Sequence, residues 1–408
     1  MKVVISVYKV ANFPEGGGHL WVYMQYVQAL RRLGCDVYWL EQFRPLPDPA
    51  QEARLLSTFL EKMKRFGLEG KTLLYARQGP GKGRPEPQTC PPRFIGCTWP
   101  EAQAVLGRAD LLLNFHYAID PRLLACARRS ALVDIDPGLL QVWMSSGELT
   151  VAAHDCYLTT GETVGTPAAR FSDCGLSWIH IRPPIFLDLW PFSHDPMADA
   201  FTTVSNWLTT DFLKVDDNGK TVMRENTKRV SFLQFLDLPR HTRQPLELAL
   251  YLSDRDADDR ARLLDHGWRV RDSREISASP EGYRSYVQGS RGEFSCAKPS
   301  YVEFQGAWIS DRTLCYLASG KPAVVQDTGP SAYLPNGEGL FRFTTLAQAA
   351  SALEAINADY TRHCRAAREI AESYFDAEQI MTRVLNETSG LTTPRARPVP
   401  PHDSAPAA

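Results

Sequence analysis

Two stretches of this 408-residue chain carry side chains suited to handling an anion and a proton. The first is Trp308-Ile309-Ser310-Asp311-Arg312-Thr313, followed by Leu314-Cys315-Tyr316-Leu317-Ala318-Ser319-Gly320-Lys321-Pro322 and then Ala323-Val324-Val325-Gln326-Asp327-Thr328-Gly329. Ser310 or Asp311 can cap a helix, Gly320 can end it, and Pro322 leads into a short apolar strand. The free amides at such a helix start, helped by the dipole, can hold a phosphate, with the Ser310 hydroxyl and the Arg312 guanidinium beside it. An ordinary capped surface helix with a solvated arginine fits the same spacing. Lys298 closes the run 293–296 and adds a cation. Thr328 and Gly329 end the next strand, where a sugar or phosphate can come close because glycine has no side chain.

The second stretch is Phe13-Pro14-Glu15-Gly16-Gly17-Gly18-His19, which leads into a helix. Gly17 and Gly18 let the backbone approach a ligand, and His19 falls in the first helical turn with an intrinsic pKa near the working pH. His19 is therefore a candidate base for an acceptor hydroxyl, or else a histidine that ties its loop by a hydrogen bond. The dinucleotide pattern Gly-x-Gly-x-x-Gly is absent. Other candidates follow apolar runs: His116 after 110–115, Asp134 and Asp136 after 131–135, and Glu162 after Gly161. Asp136 precedes Pro137-Gly138 and reads first as turn chemistry, whereas Glu162 is a loop carboxylate able to hold sugar hydroxyls. Neighbours His154 and Asp155 point to opposite faces of an extended chain and make no dyad by adjacency.

These residues need a scaffold, and the chain describes one. The apolar run 3–7, a loop over 11–18, a helix over 20–33 stopped by Gly34, and a strand over 35–40 form a βαβ unit with parallel strands. Strands over 110–115 and 131–135 extend it. After the proline-rich stretch 182–196, the run 200–205 starts a second alternation, with strands over 246–251, 268–270, 293–296 and 323–326 and helices over 310–319, 347–356 and 359–374. The fold class is thus α/β, two Rossmann-like units that face each other across a cleft, with the ligand at the carboxyl edges of the sheets. The expected division is 1–196, 197–390 and a disordered Pro/Ala-rich tail over 391–408; the segment 76–92, rich in Gly, Pro, Arg and Lys, is expected to be a mobile surface loop.

Bulk properties narrow the function. Apolar residues make up 44% and charged residues 23%, a globular balance, and the net charge of -2 offers no basic field for nucleic acid, so no nucleic-acid partner is expected. No segment approaches the ~20 apolar residues of a membrane span, and the first residues read as a strand and not a signal peptide. Nine cysteines are scattered without a Cys-x-x-Cys pair, which fits reduced thiols in a cytoplasmic protein and supports no zinc site. No His/Asp/Glu cluster has metal spacing.

The capped helix, the Leu317-Ala318-Ser319-Gly320-Lys321-Pro322 turn, the apolar strand and the Gly329 loop resemble the donor-domain signature of glycosyltransferases with the two-domain fold called GT-B. The first strand with its glycine-rich loop is similar to the acceptor domain of those enzymes, and 360–384 to their closing helices, which return toward the first domain. The resemblance implies a transferase of the hexosyl type that uses a nucleoside-diphosphate sugar as co-substrate, with no other cofactor and no metal. The donor would sit on the second domain, held by Lys298, Ser310, Asp311, Arg312, Thr328 and Gly329. A small-molecule or glycan acceptor would meet Gly17, Gly18 and His116, with His19 and Glu162 as the catalytic candidates. Many retaining members carry two glutamates eight apart before the glycine turn, the second binding the ribose; here those positions are Ala307 and Cys315, so Asp311 is the local substitute and the chain stands apart from that group. His19 serves as base if the anomeric centre inverts; on retention the leaving phosphate can take the acceptor's proton. A nucleotide-sugar epimerase of the same fold and a catalytically silent carbohydrate-binding protein are the alternatives. Donor sugar, acceptor, stereochemistry and oligomeric state stay open.

Overall fold

The computed structural model describes residues 1–14, 16–76, 92–207, 212–217 and 220–389. Glu15, most of the expected loop 76–92 and the expected tail 391–408 lie outside them.

Eight strands form the first sheet: β1 (Lys2–Val7), β2 (Asp36–Phe43), β3 (Thr72–Ala76), β4 (Arg93–Ile95), β5 (Leu111–Asn114), β6 (Ser130–Asp134), β7 (Cys156–Thr159) and β8 (Trp178–His180). Their spatial order is β4-β3-β2-β1-β5-β6-β7-β8, parallel throughout except for the antiparallel edge pair β3–β4. Ile5 stands beside both Trp39 and Leu113, so β1 is the strand at which the order reverses. At such a switch point the loops after the strands splay apart and leave a crevice.

The second half repeats the scheme. Its strands are β9 (Phe201–Asn206), a hairpin of β10 (Phe212–Asp217) and β11 (Lys220–Glu225), then β12 (Leu246–Tyr251), β13 (Arg269–Asp272), β14 (Gly292–Ser295), β15 (Ala323–Gln326) and β16 (Leu340–Phe343). Apart from the hairpin they form one parallel sheet, β13-β12-β9-β14-β15-β16, which reverses at β9. Buried on both faces, these strands are short apolar runs: Phe201, Leu248, Phe294, Val324 and Phe343 fill one core. The two halves also share a core, because Val3, Ile5, Trp21, Trp39, Tyr283 and Leu314 belong to one buried cluster. The last helix, Ala377–Ser389, packs on the Gly17–Arg32 helix and adds Met381 and Val384 to that cluster.

The first helix starts earlier than its sequence suggests. Gly17 and Gly18 read as loop, yet they are helical, and no side chain caps the start. Tertiary contact supplies the partner: the Gly17 amide donates to Ser277 O at 2.8 Å, from the other half of the chain.

Candidate functional site

A cavity of about 360 Å³ opens between the carboxyl edges of the two sheets. Six of the sequence candidates line it: Gly18, His19, Lys298, Ser310, Asp311 and Arg312. Gly17, His116, Glu162, Thr328 and Gly329 do not. Lys228, which has no motif around it, does.

The second-half wall is cationic. Lys228 opens the helix Lys228–Gln234, reached from β9 through the hairpin, and its Nζ donates to the carbonyl of Cys296. Burial, with Arg312 and Lys298 nearby, pushes its ammonium down to about 7. Lys298 stands at the N-cap of the helix Pro299–Phe304, just past β14. Between them lies the start of the helix Asp311–Ala318. Ser310 is its N-cap in extended conformation, and its hydroxyl makes no capping bond, so the cap residue leaves the first-turn amides to another acceptor. An anion is the group such an arrangement accepts. Burial, then Asp136, lifts the Asp311 carboxyl to about 7, and Cys315 lines the wall one turn further on.

Arg312 has a different task from the one its position suggests. Its Nε donates to Glu293 Oε1 at 2.7 Å, Nη1 to Val204 O at 3.1 Å, and Nη2 to Ser295 Oγ. Glu293 is fully buried in β14, so the guanidinium neutralises an interior carboxylate and pins the ends of β9 and β14. It borders the cavity as a brace.

Thr328 and Gly329 are likewise internal. Thr328 Oγ1 donates to Trp308 O at 2.5 Å, and its carbonyl takes the Ala307 amide at 2.9 Å. Gly329 has φ 125°, and a Cβ there would lie 2.5 Å from Gln305 O. Its missing side chain makes room for the Gln305 backbone, not for a ligand.

On the first-half wall, His19 Nε2 donates to Tyr8 O at 2.7 Å. With that nitrogen protonated, the neutral ring keeps Nδ1 as its basic atom. Burial lowers the pKa of His19, which favours the neutral form. Gly17 faces the other half: a Cβ there would be 2.4 Å from Ser279 O. The glycine run therefore serves close packing of the halves, reinforced by Trp21 Nε1 donating to Pro280 O at 3.0 Å.

His116 is buried behind the wall and stacks on the Tyr8 ring with centroids 4.9 Å apart. Both Glu162 oxygens are engaged across the halves, accepting from Ser331 Oγ and from the Ala332 amide at 2.8 Å, so Glu162 fastens a loop and is not placed to handle an acceptor. Asp136, read first as a turn residue, accepts from Tyr117 Oη at 3.1 Å and from Tyr301 Oη of the second half at 2.8 Å. Its charge acts on both His19 and Asp311.

The chain resembles solved structures over nearly its whole length. The Anabaena protein HepE, solved with UDP-glucose, is 12% identical with a TM-score of 0.59, covering 96% of this chain and 100% of its own. An alpha-glucosyltransferase solved with UDP and a DNA 13-mer is 10% identical with a TM-score of 0.57, covering 95% and 99%. Sucrose-phosphate synthase from Thermosynechococcus elongatus is 12% identical with a TM-score of 0.55, covering 95% and 98%. The fold is GT-B. No protein-family model and no curated protein matches the sequence. The GT-B fold does not support excluding nucleic acid, since one of these neighbours was solved with DNA. Among the described residues no helix is long and apolar enough to cross a membrane, no group of three His, Cys, Asp or Glu side chains is placed to hold a metal ion, and the eight cysteines are free thiols.

Proposed function

We propose that the chain is a glycosyltransferase that moves a sugar from a nucleoside-diphosphate sugar, with a uridine nucleotide the first to test, to an acceptor bound by the first half, the chain being divided at residues 196 and 197. One observation carries the reading: Lys228, Lys298 and the uncapped start of the Asp311–Ala318 helix converge on one cavity between two GT-B halves. Structural neighbours with this fold were solved with UDP or UDP-glucose. As the bond from the anomeric carbon to the phosphate oxygen breaks, its electron pair goes to the diphosphate, and the two ammonium groups and the helix amides stabilise that growing charge without an ion. Asp311 is the candidate ribose ligand. The acceptor oxygen bonds to the anomeric carbon and gives its proton to His19 Nδ1 on inversion, or to the leaving phosphate on retention. The protein belongs to the cytoplasm in this reading.

The test is thermal unfolding with UDP in the presence of a chelator, followed by incubation with a panel of nucleotide sugars. A rise in Tm, and slow release of UDP from one of the sugars, are expected. A shift that the chelator abolishes contradicts metal independence. Interconversion of the sugars makes the protein an epimerase, and binding without release a silent carbohydrate-binding protein.

A further inference from the structure

The loop that delivers His19 is held from below by a carboxylate with no part in the chemistry proposed above. Glu41 lies in β2 and is fully buried. Its Oε1 accepts from the Ala11 amide at 2.7 Å, its Oε2 accepts from Trp39 Nε1 at 2.9 Å, and the Val10 amide also donates to it. Immediately before these amides, Lys9 adopts φ 60°, the left-handed region that a side chain disfavours. Successive amides after such a residue form a concave cradle for an anion, and here the anion is the protein's own.

One residue earlier, the Tyr8 carbonyl takes the His19 Nε2 proton, and the Tyr8 ring stacks on His116. Tyr8, Lys9, Val10 and Ala11 are therefore one strained turn, gripped by Glu41 on one side and presenting the His19 acceptor on the other. Burial pushes the Glu41 carboxyl up to about 7, so packing alone would favour a neutral residue in its place. An apolar side chain would fill the site but leave both amides without an acceptor and the Lys9 turn without its clamp.

The geometry points to Glu41 as the positioning residue of the acceptor side: by holding the Val10 and Ala11 amides it fixes the Lys9 turn, and through the Tyr8 carbonyl the tautomer and placement of His19. The link to turnover rests on the glycosyltransferase reading; the link to His19 does not.

Glu41→Gln tests it, since a carboxamide has one acceptor oxygen where the carboxylate uses two. The variant is expected to fold, to bind UDP within twofold of the parent, and to lose tenfold or more in kcat. In nitrogen-15 NMR the His19 signal, assigned with His19→Gln, is expected to move from the Nε2-protonated tautomer toward a mixture, while the Val10 and Ala11 amides exchange faster. Glu41→Asp, which withdraws the charge by one methylene, replaces it if the carboxamide variant does not fold. An unchanged His19 signal with unchanged amide exchange overturns the proposal, and so does a loosened loop with kcat within twofold of the parent. If the parent protein neither binds UDP nor releases it from any sugar, the glycosyltransferase reading fails, and the His19 signal still decides what Glu41 does.

Discussion

Across the cleft, two walls use their polar groups differently. On the second-half wall, Lys228 and Lys298 flank a helix start with no capping side chain, while Arg312 is paired with Glu293 and Arg274 with Asp272. On and behind the first-half wall, the polar candidates are engaged: His19, which lines the cavity, with Tyr8, and behind it Glu162 with Ser331 and Ala332 and Asp136 with Tyr117 and Tyr301. A surplus of positive charge in a half-dry pocket is a standing invitation to an anion, whereas a wall of satisfied groups is pre-organised and selects by shape. The contrast separates residues that bind from residues that hold, and substitutions should split along that line.

The largest expected effect belongs to Arg312→Ala. Removing the guanidinium strands the buried Glu293 carboxylate, and breaking a buried pair in this way costs about 3 to 5 kcal/mol. Urea unfolding should show the loss in stability. A variant as stable as the parent but weak in UDP binding would move Arg312 back among the phosphate ligands. Next is His19→Ala: turnover should fall by about a hundredfold or more while UDP binding persists, as removal of a general base requires. Survival of turnover within a few fold would reduce His19 to a loop tie. Lys228→Met should weaken UDP binding roughly tenfold, the range of a charge-assisted contact, and leave the fold intact because the lysine sits at a helix start. The reverse pattern, normal affinity in a destabilised protein, would class Lys228 as structural. Smallest is Glu162→Gln, which weakens one link between the halves and should cost about 1 kcal/mol in unfolding with kcat unchanged. A large drop in kcat would restore Glu162 to the catalytic list.

Much of the scaffold was legible because buried parallel strands are written as apolar runs. The strands over 246–251 and 323–326 have the same bounds in the structure, and the helix expected over 310–319 is Asp311–Ala318, one residue shorter at each end. The short edge strands β4 and β8 and the β10–β11 hairpin carry no such run, and their pairing depends on neighbours distant in sequence. The candidate site was legible where a helix start or a glycine turn marked it, as at Ser310, Asp311 and His19. Lys228 escaped because a lysine is significant here only through Cys296 and Lys298, about seventy residues on. Arg312 and Gly329 were found without their protein contacts, since sequence shows neither Glu293 behind the arginine nor the Gln305 backbone against the glycine. A glutamate at the start of the strand expected over 293–296 was the available signal for the first.

Diphosphate binding by the protein's own cations should carry a pH signature at Lys228. With its ammonium pushed down to about 7, Lys228 in the free protein is mostly charged below pH 7 and progressively loses its proton above it, while a bound diphosphate favours the charged form. Binding must then draw a proton onto Lys228 above pH 7, and affinity must fall as pH rises. Calorimetric titration with UDP in EDTA, between pH 6.5 and 9 and in buffers of different ionisation enthalpy, measures both. The expected result is binding without metal, proton uptake that grows above pH 7, and an affinity that declines there by up to tenfold per pH unit, with the dependence flattened in Lys228→Met. Binding that vanishes in EDTA and returns with manganese, or that takes up no proton at any pH, would contradict it.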